Sequence, residues 1–136
     1  MIRTGLIASA AGMAVAIGAL LWLNAVLPQD VQVPVHWGFD GVADRFAPRD
    51  EALTLFVLIP GAALLLTLLF YLLPRIEPLR ENLMRGQRAY LTAWIGVQAM
   101  LALIAVGLAL VTVRSTGAAS PHVDLLVRVI IAGAGV

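Results

Sequence analysis

Residues 5–27 read GLIASAAGMAVAIGALLWLNAVL, 23 positions without a charged side chain. At 1.5 Å rise per residue a helix of that length reaches about 35 Å, enough to cross a hydrocarbon core of about 30 Å. Inside hydrocarbon the backbone must satisfy its own hydrogen bonds, so the run is expected as a transmembrane helix. A cleaved signal peptide fits less well, because its apolar region is about 7 to 15 residues and ends in a small-x-small site. Residues 52–73 and 89–113 repeat the pattern, and residues 125–136 start a fourth run that stops after 12 positions. Twelve residues rise only about 18 Å, so this segment is either re-entrant or, the favoured expectation, a partial fourth span of a longer chain. The expected fold class is all-α: a polytopic transmembrane helical bundle, three full spans plus a partial fourth, forming a single membrane domain over 1–136.

Composition supports this. Of the 136 residues, 61% are hydrophobic and 12% charged, against about 45 to 50% and about 25% in soluble domains. A net charge of +1 supplies no basic field for nucleic acid. Cysteine is absent, which excludes disulfides, thiolate ligands, cysteine nucleophiles and S-acylation. Ser9 lies in the first span, Ser115 and Ser120 lie in a later polar turn, and no nucleophile, base and orienting group occur together. There is no glycine-rich phosphate loop either. The expectation is a non-enzyme with no catalytic residue and no cofactor. All nine basic residues are arginine, which hints at a GC-rich bacterial genome.

Within the spans, small residues recur four apart, as in Gly5 and Ser9, Ala8 and Gly12, or Ala14 and Gly18, a spacing that lets helices approach closely. Pro60-Gly61 interrupts the second run, where proline removes a backbone donor and clashes with the preceding turn, so a kink is expected. Tyr90 and Trp94 are read as interfacial anchors at the start of the third span. Gln98 is that span's one strongly polar side chain, expected to face another helix, with Asn24 as its partner across the bundle.

Residues 74–88 form a short polar connection holding Arg75, Arg80, Arg85 and Arg88, four arginines in 15 residues. From Glu77 onward it reads as a helix lying on the membrane, with Leu79, Leu83 and Met84 on one side and anionic headgroups as its partner. Arginine density sets the orientation. With the amino terminus inside, the inner segments hold Arg3 and these four, against Arg45, Arg49 and Arg114 outside. Arg128, one turn into the last run, is expected to snorkel outward. The chain is thus expected in the inner (plasma) membrane, amino terminus cytoplasmic, with residues 28–51 as an outer loop.

That loop concentrates the polar, aromatic, proline and glycine residues. Val31, Val33 and Val35 alternate with Gln32, Pro34 and His36, a period of two that suits a short extended segment, an edge strand at best because of Pro34. Phe39-Asp40-Gly41 is turn chemistry. Pro48 and Asp50 look like the start and cap of the second span. Trp37, Phe39 and Phe46 are expected to fold back onto the bilayer interface or the helix ends. His36, Asp40 and Asp44 offer metal-ligand chemistry but match no established spacing, so no metal is expected. His36 beside a carboxylate also suits a pH sensor.

At this loop the chain resembles the SdpI-type family of bacterial membrane proteins. Their amino-terminal domain carries a Leu-Pro-x-x-[Ile/Val]-Pro-x-His-[Phe/Trp]-Asn-x-x-Gly-x-Pro-Asp signature. Leu27, Pro28, Val33, Pro34, His36, Trp37, Gly41 and Asp44 match it. Pro74, Ile76, Glu77, Pro78, Asn82 and Tyr90 resemble the family's inner connection. Three departures stand out: two extra residues between Pro28 and Pro34, Gly38 in place of Asn, and Ala43 in place of Pro.

The resemblance implies immunity to a secreted toxic peptide, in some members with signalling through a cytoplasmic regulator. It points to His36, Trp37, Gly41 and Asp44 as the working set of the loop, with Pro28 and Pro34 shaping it. The expected partners are therefore the lipid bilayer, then a secreted peptide or a cytoplasmic regulator, and no nucleic acid. Two other classes remain open at this point: a small transporter or channel subunit lined by Asn24, Gln98 and the Pro60 kink, and a structural partner of a larger membrane complex.

Overall fold

The computed structural model of the chain describes residues 1–76 and 78–116, together with residues 125, 129, 132 and 133. The expected partial fourth span, with Arg128, falls almost wholly outside the described residues, as do Glu77 and residues 117–124. Three helical stretches are long and apolar enough to cross a membrane: Ile2–Val26, Arg49–Arg75 and Gln87–Ser115, of 25, 27 and 29 residues. The second and third extend past both ends of the expected spans 52–73 and 89–113, and the first starts before residue 5 and ends one residue short of its expected Leu27. Side chains such as Ile7, Leu21, Leu65 and Leu103 stay more than 60% exposed. On a membrane protein these are the faces that meet lipid.

The first stretch is α1 (Ile2–Val26). It stops where Leu27 takes extended angles, φ −73° and ψ 131°, as the residue before Pro28 must to avoid the proline ring. A β-hairpin follows, β1 (Gln32–Trp37) paired antiparallel with β2 (Ala43–Pro48). The second strand is the main departure from the sequence reading, which allowed one extended segment. A two-stranded sheet consists only of edges, so Pro34 costs it no central ladder bond.

The second stretch is broken into α2 (Arg49–Phe56) and α3 (Leu58–Leu72), then tightens into a 3₁₀ turn at Leu73–Arg75. The interruption falls at Val57, three residues before Pro60, and its backbone stays helical at φ −62° and ψ −22°. Proline is tolerated in the first turn of α3, where its missing donor has no partner to lose, and its ring excludes the carbonyl of Phe56. The Val57 amide is shared between the carbonyls of Leu53 and Thr54 at 3.3 and 3.2 Å. A short helix α4 (Leu79–Arg85) then leads to α5 (Gln87–Ser115).

α1 packs most extensively along α5 and next along α3, and α3 also touches α5. The α1–α5 seam is made by small residues. Gly5, Ser9 and Ala16 are buried on α1, and Trp94, Gln98 and Ala105 are buried on α5. A Cβ on Gly5 would overlap the Trp94 ring, and one on Gly12 would lie 3.1 Å from the Gln98 carbonyl oxygen. Gly18 faces open space, so of the small-residue pairs in the sequence, Gly5 and Ser9 lie on the packed seam.

Trp94 is fully buried and donates its indole N–H to Ser9 Oγ at 2.8 Å. It stacks on Phe70 at 5.5 Å, and Tyr90 meets Phe70 edge-on at 5.3 Å while its hydroxyl donates to the Phe70 carbonyl. Tyr90 and Trp94 are therefore interior pillars rather than interfacial anchors, because Gly5 leaves the space that the indole fills.

Candidate functional site

The hairpin turn is built by Gly38 to Val42. Gly38 donates to the Val42 carbonyl and accepts from the Gly41 amide, both at 3.0 Å, while Gly41 takes φ 77°. This is a three-residue loop closed by a glycine bulge, which needs positive φ at its last position. Asp40 Oδ1 accepts the Val42 amide at 3.1 Å, and a Cβ on Gly38 would stand 2.9 Å from that same oxygen.

Pairing about this turn brings together residues eight apart. His36 Nδ1 and Asp44 Oδ1 lie 2.6 Å apart, with the two side chains 66% and 54% exposed. With the carboxylate ionised, His36 donates through Nδ1, leaving Nε2 turned to the surroundings without a protein partner among the described residues. Asp40 does not join them as a ligand, being committed to the turn. Among the described residues no three His, Asp or Glu side chains converge on a metal position. Phe39 at the tip is fully exposed and Phe46 is 56% exposed, so of the two expected resting places, the bilayer interface or the helix ends, neither side chain takes the helix ends. Phe39 sits first in the turn, and Phe46 faces away from the buried Ala47 beside it.

The other face of the hairpin rests on the bundle. Val33 is fully buried with Leu23, Leu27, Ala52 and Val113, and Val31, Val35 and Phe56 pack around them. Beside this contact lies an apolar groove of about 300 Å³. β1 contributes Pro34, Val35 and Trp37, the α2–α3 break contributes Leu55, Phe56 and Leu58, and α5 contributes Leu108 and Thr112. The size and lining suit one or two apolar side chains.

Arg49 fixes the hairpin to the helices and is the residue that sequence reasoning missed. It is 7% exposed. Its Nη2 donates to the backbone carbonyl and to Oδ1 of Asn24 at 2.6 and 2.9 Å, and its Nε donates to the Leu27 carbonyl at 3.3 Å. Nη1 meets Asp50 at 3.0 Å. The guanidinium thereby satisfies carbonyls left open at the end of α1, where a cation is also favoured by the helix dipole. The signal available was an arginine directly at the start of a span, beside an acid.

The expected pairing of Asn24 with Gln98 does not form, because Asn24 is held by Arg49 and Gln98 reaches α3. Gln98 Nε2 donates to Thr67 Oγ1 at 3.0 Å and to the Ala63 carbonyl at 3.2 Å. Pro28 lies in the exposed link between α1 and β1. At the far end of the bundle Arg75 lies over the Tyr71 ring, 3.7 Å from its centroid. Arg85 pairs with Glu81 on α4, Arg80 borders a groove with Arg75, and Arg88 is exposed at the start of α5. On the surface helix, Leu79 and Met84 are more than 40% exposed.

A family model described as a domain of unknown function, DUF1648, matches residues 11–60. The match runs from the second half of α1 through the hairpin and α2 to Pro60, so it contains the hairpin, the Arg49 anchor and the α2 side of the groove. No curated protein and no solved structure matches the chain.

Proposed function

We propose that this membrane protein is a recognition module, not an enzyme, whose hairpin faces the extracytoplasmic side and binds an apolar secreted peptide. The observation that carries this reading is the groove of about 300 Å³ walled by Pro34, Val35 and Trp37 on one side and by helices on the other. An apolar side chain entering it leaves water or headgroups for a lined cavity, worth about 1.5 to 3 kcal/mol for a Leu or Phe. The exposed edges of the hairpin offer backbone donors and acceptors to an extended chain, a recognised mode of peptide binding. The His36 and Asp44 pair on the outer face adds a polar contact point.

The resemblance to the SdpI-type family supports peptide immunity as the biological use, at the cytoplasmic membrane of a bacterium with the amino terminus inside. Against the transporter alternative, lined by Asn24, Gln98 and Pro60-Gly61, it counts that Asn24 Oδ1 accepts from Arg49 and that Gln98 Nε2 donates to Thr67 and Ala63.

The test uses the chain's freedom from cysteine. A single Leu55→Cys variant carrying a bimane label, reconstituted in nanodiscs, reports occupancy of the groove. Titration with short synthetic peptides rich in Leu and Phe should shift its emission, and Leu58→Trp, which fills the groove from its exposed rim, should abolish the shift. An equal shift in the filled variant would mean that the peptide partitions into lipid, and the reading would fall.

A further inference from the structure

We propose that the arginine end of the bundle holds one anionic phospholipid, its phosphate between Arg3, Arg75 and Arg80 and one acyl chain along α1. Two open surface grooves adjoin there, of about 590 and 530 Å³, sharing Ile2 and Arg75 in their walls. The first runs between α1 and α3 past Leu6, Ile7, Ala10 and Tyr71. From Ile2 to Ala10 the helix rises about 12 Å, an apolar wall leading from the charged mouth toward the middle of the span. The second reaches Arg80 and Met84 of α4. The site is therefore cationic at the interface and hydrocarbon-like below it, the polarity of a phospholipid.

The charges are available. Among the described residues Arg3, Arg75 and Arg80 have no carboxylate partner, and the nearby Glu81 is engaged by Arg85. Arg75 is held in place by stacking on Tyr71 and by donating to the Tyr71 carbonyl. Its remaining N–H groups can meet phosphate oxygens in the forked geometry that guanidinium favours. The amino end of α1 borders the same grooves. Met1 offers no side-chain cap, so the first-turn amides are unpartnered donors and the helix dipole adds positive potential. The hairpin lies at the opposite end of α1, so this site is separate from it.

The experiment is native mass spectrometry of the full chain released from nanodiscs of equal phosphatidylglycerol and phosphatidylcholine. One phosphatidylglycerol should remain bound in preference to phosphatidylcholine. The triple variant Arg3→Gln, Arg75→Gln, Arg80→Gln should reduce that retention about tenfold, whereas Arg88→Gln, which removes a charge at the same end and leaves Glu81 paired with Arg85, should leave it unchanged. Ile7→Trp, with every arginine intact and its exposed side chain in the groove, should also expel the lipid. Equal retention of both lipids would overturn the proposal, as would equal losses in the two arginine variants. Displacement by millimolar inorganic phosphate, with the parent and Ile7→Trp behaving alike, would show a phosphate site and overturn the lipid assignment.

Discussion

Arg49 donates to both the carbonyl and the side-chain oxygen of Asn24, 25 residues earlier in the chain, at 2.6 and 2.9 Å. That contact ties the end of the hairpin to the end of the first helix, and with the Leu27 bond it makes the hairpin part of the bundle. Hydrogen bonds to charged groups contribute about 1.5 to 3 kcal/mol, and their loss leaves helix carbonyls open. Arg49→Met should cost about 2 to 4 kcal/mol, seen as a lower melting temperature in detergent and faster amide exchange at Val33 and Ala47. Arg49→Lys should recover only part of this, because an ammonium cannot reproduce the fork.

The seam between α1 and α5 predicts a contrast among glycines. Gly5→Leu places a side chain where the Trp94 ring already lies, and Gly12→Leu meets the Gln98 carbonyl. Both should lower the melting temperature sharply, consistent with overpacking costs of about 1 to 3 kcal/mol or more. Gly18→Leu, which meets open space, should be nearly neutral. Equal effects at 5 and 18 would refute the seam.

Ser9 and Trp94 should be energetically coupled. In a double-mutant cycle with Ser9→Ala and Trp94→Phe, the coupling should be about 0.5 to 1.5 kcal/mol, the range found for hydrogen bonds between helices in membranes. Additive losses would mean that the 2.8 Å contact contributes only packing.

The three helices were legible because uncharged runs of more than 20 residues admit few other structures, and Pro28 and Pro60 left recognisable marks on the backbone. The hairpin was half legible. Alternating valines gave β1, but β2, from Ala43 to Pro48, has the sequence ADRFAP, with no alternation of apolar residues; it pairs because the Gly41 bulge returns the chain. His36, Asp40 and Asp44 were singled out together, and only the register shows that His36 meets Asp44 while Asp40 stays with the turn. Tyr90 and Trp94 were misplaced since aromatic residues near a span end look alike whether they face lipid or a glycine on another helix. Arg49 was hidden for a related reason: a charge at a span boundary usually meets water, and its burial depends on carbonyls 22 and 25 residues away.

The proposed orientation makes a direct prediction, since any introduced cysteine is unique. Phe39→Cys at the hairpin tip should react with a membrane-impermeant maleimide in intact cells, and Met84→Cys only after permeabilisation. The reverse pattern would place the hairpin inside and remove a secreted peptide as its ligand.

The central claim is recognition of an apolar peptide at the hairpin groove, and the most direct measurement is protection of living cells. Cells expressing the parent chain, His36→Ala, Asp44→Ala or Leu58→Trp would be challenged with a panel of secreted membrane-active peptides, with membrane abundance of each variant measured alongside. The account expects the parent to raise the lethal concentration of at least one peptide, and the three variants to lose about tenfold of that protection at unchanged abundance. Protection by the variants equal to that of the parent, or none by the parent against any peptide, would contradict it.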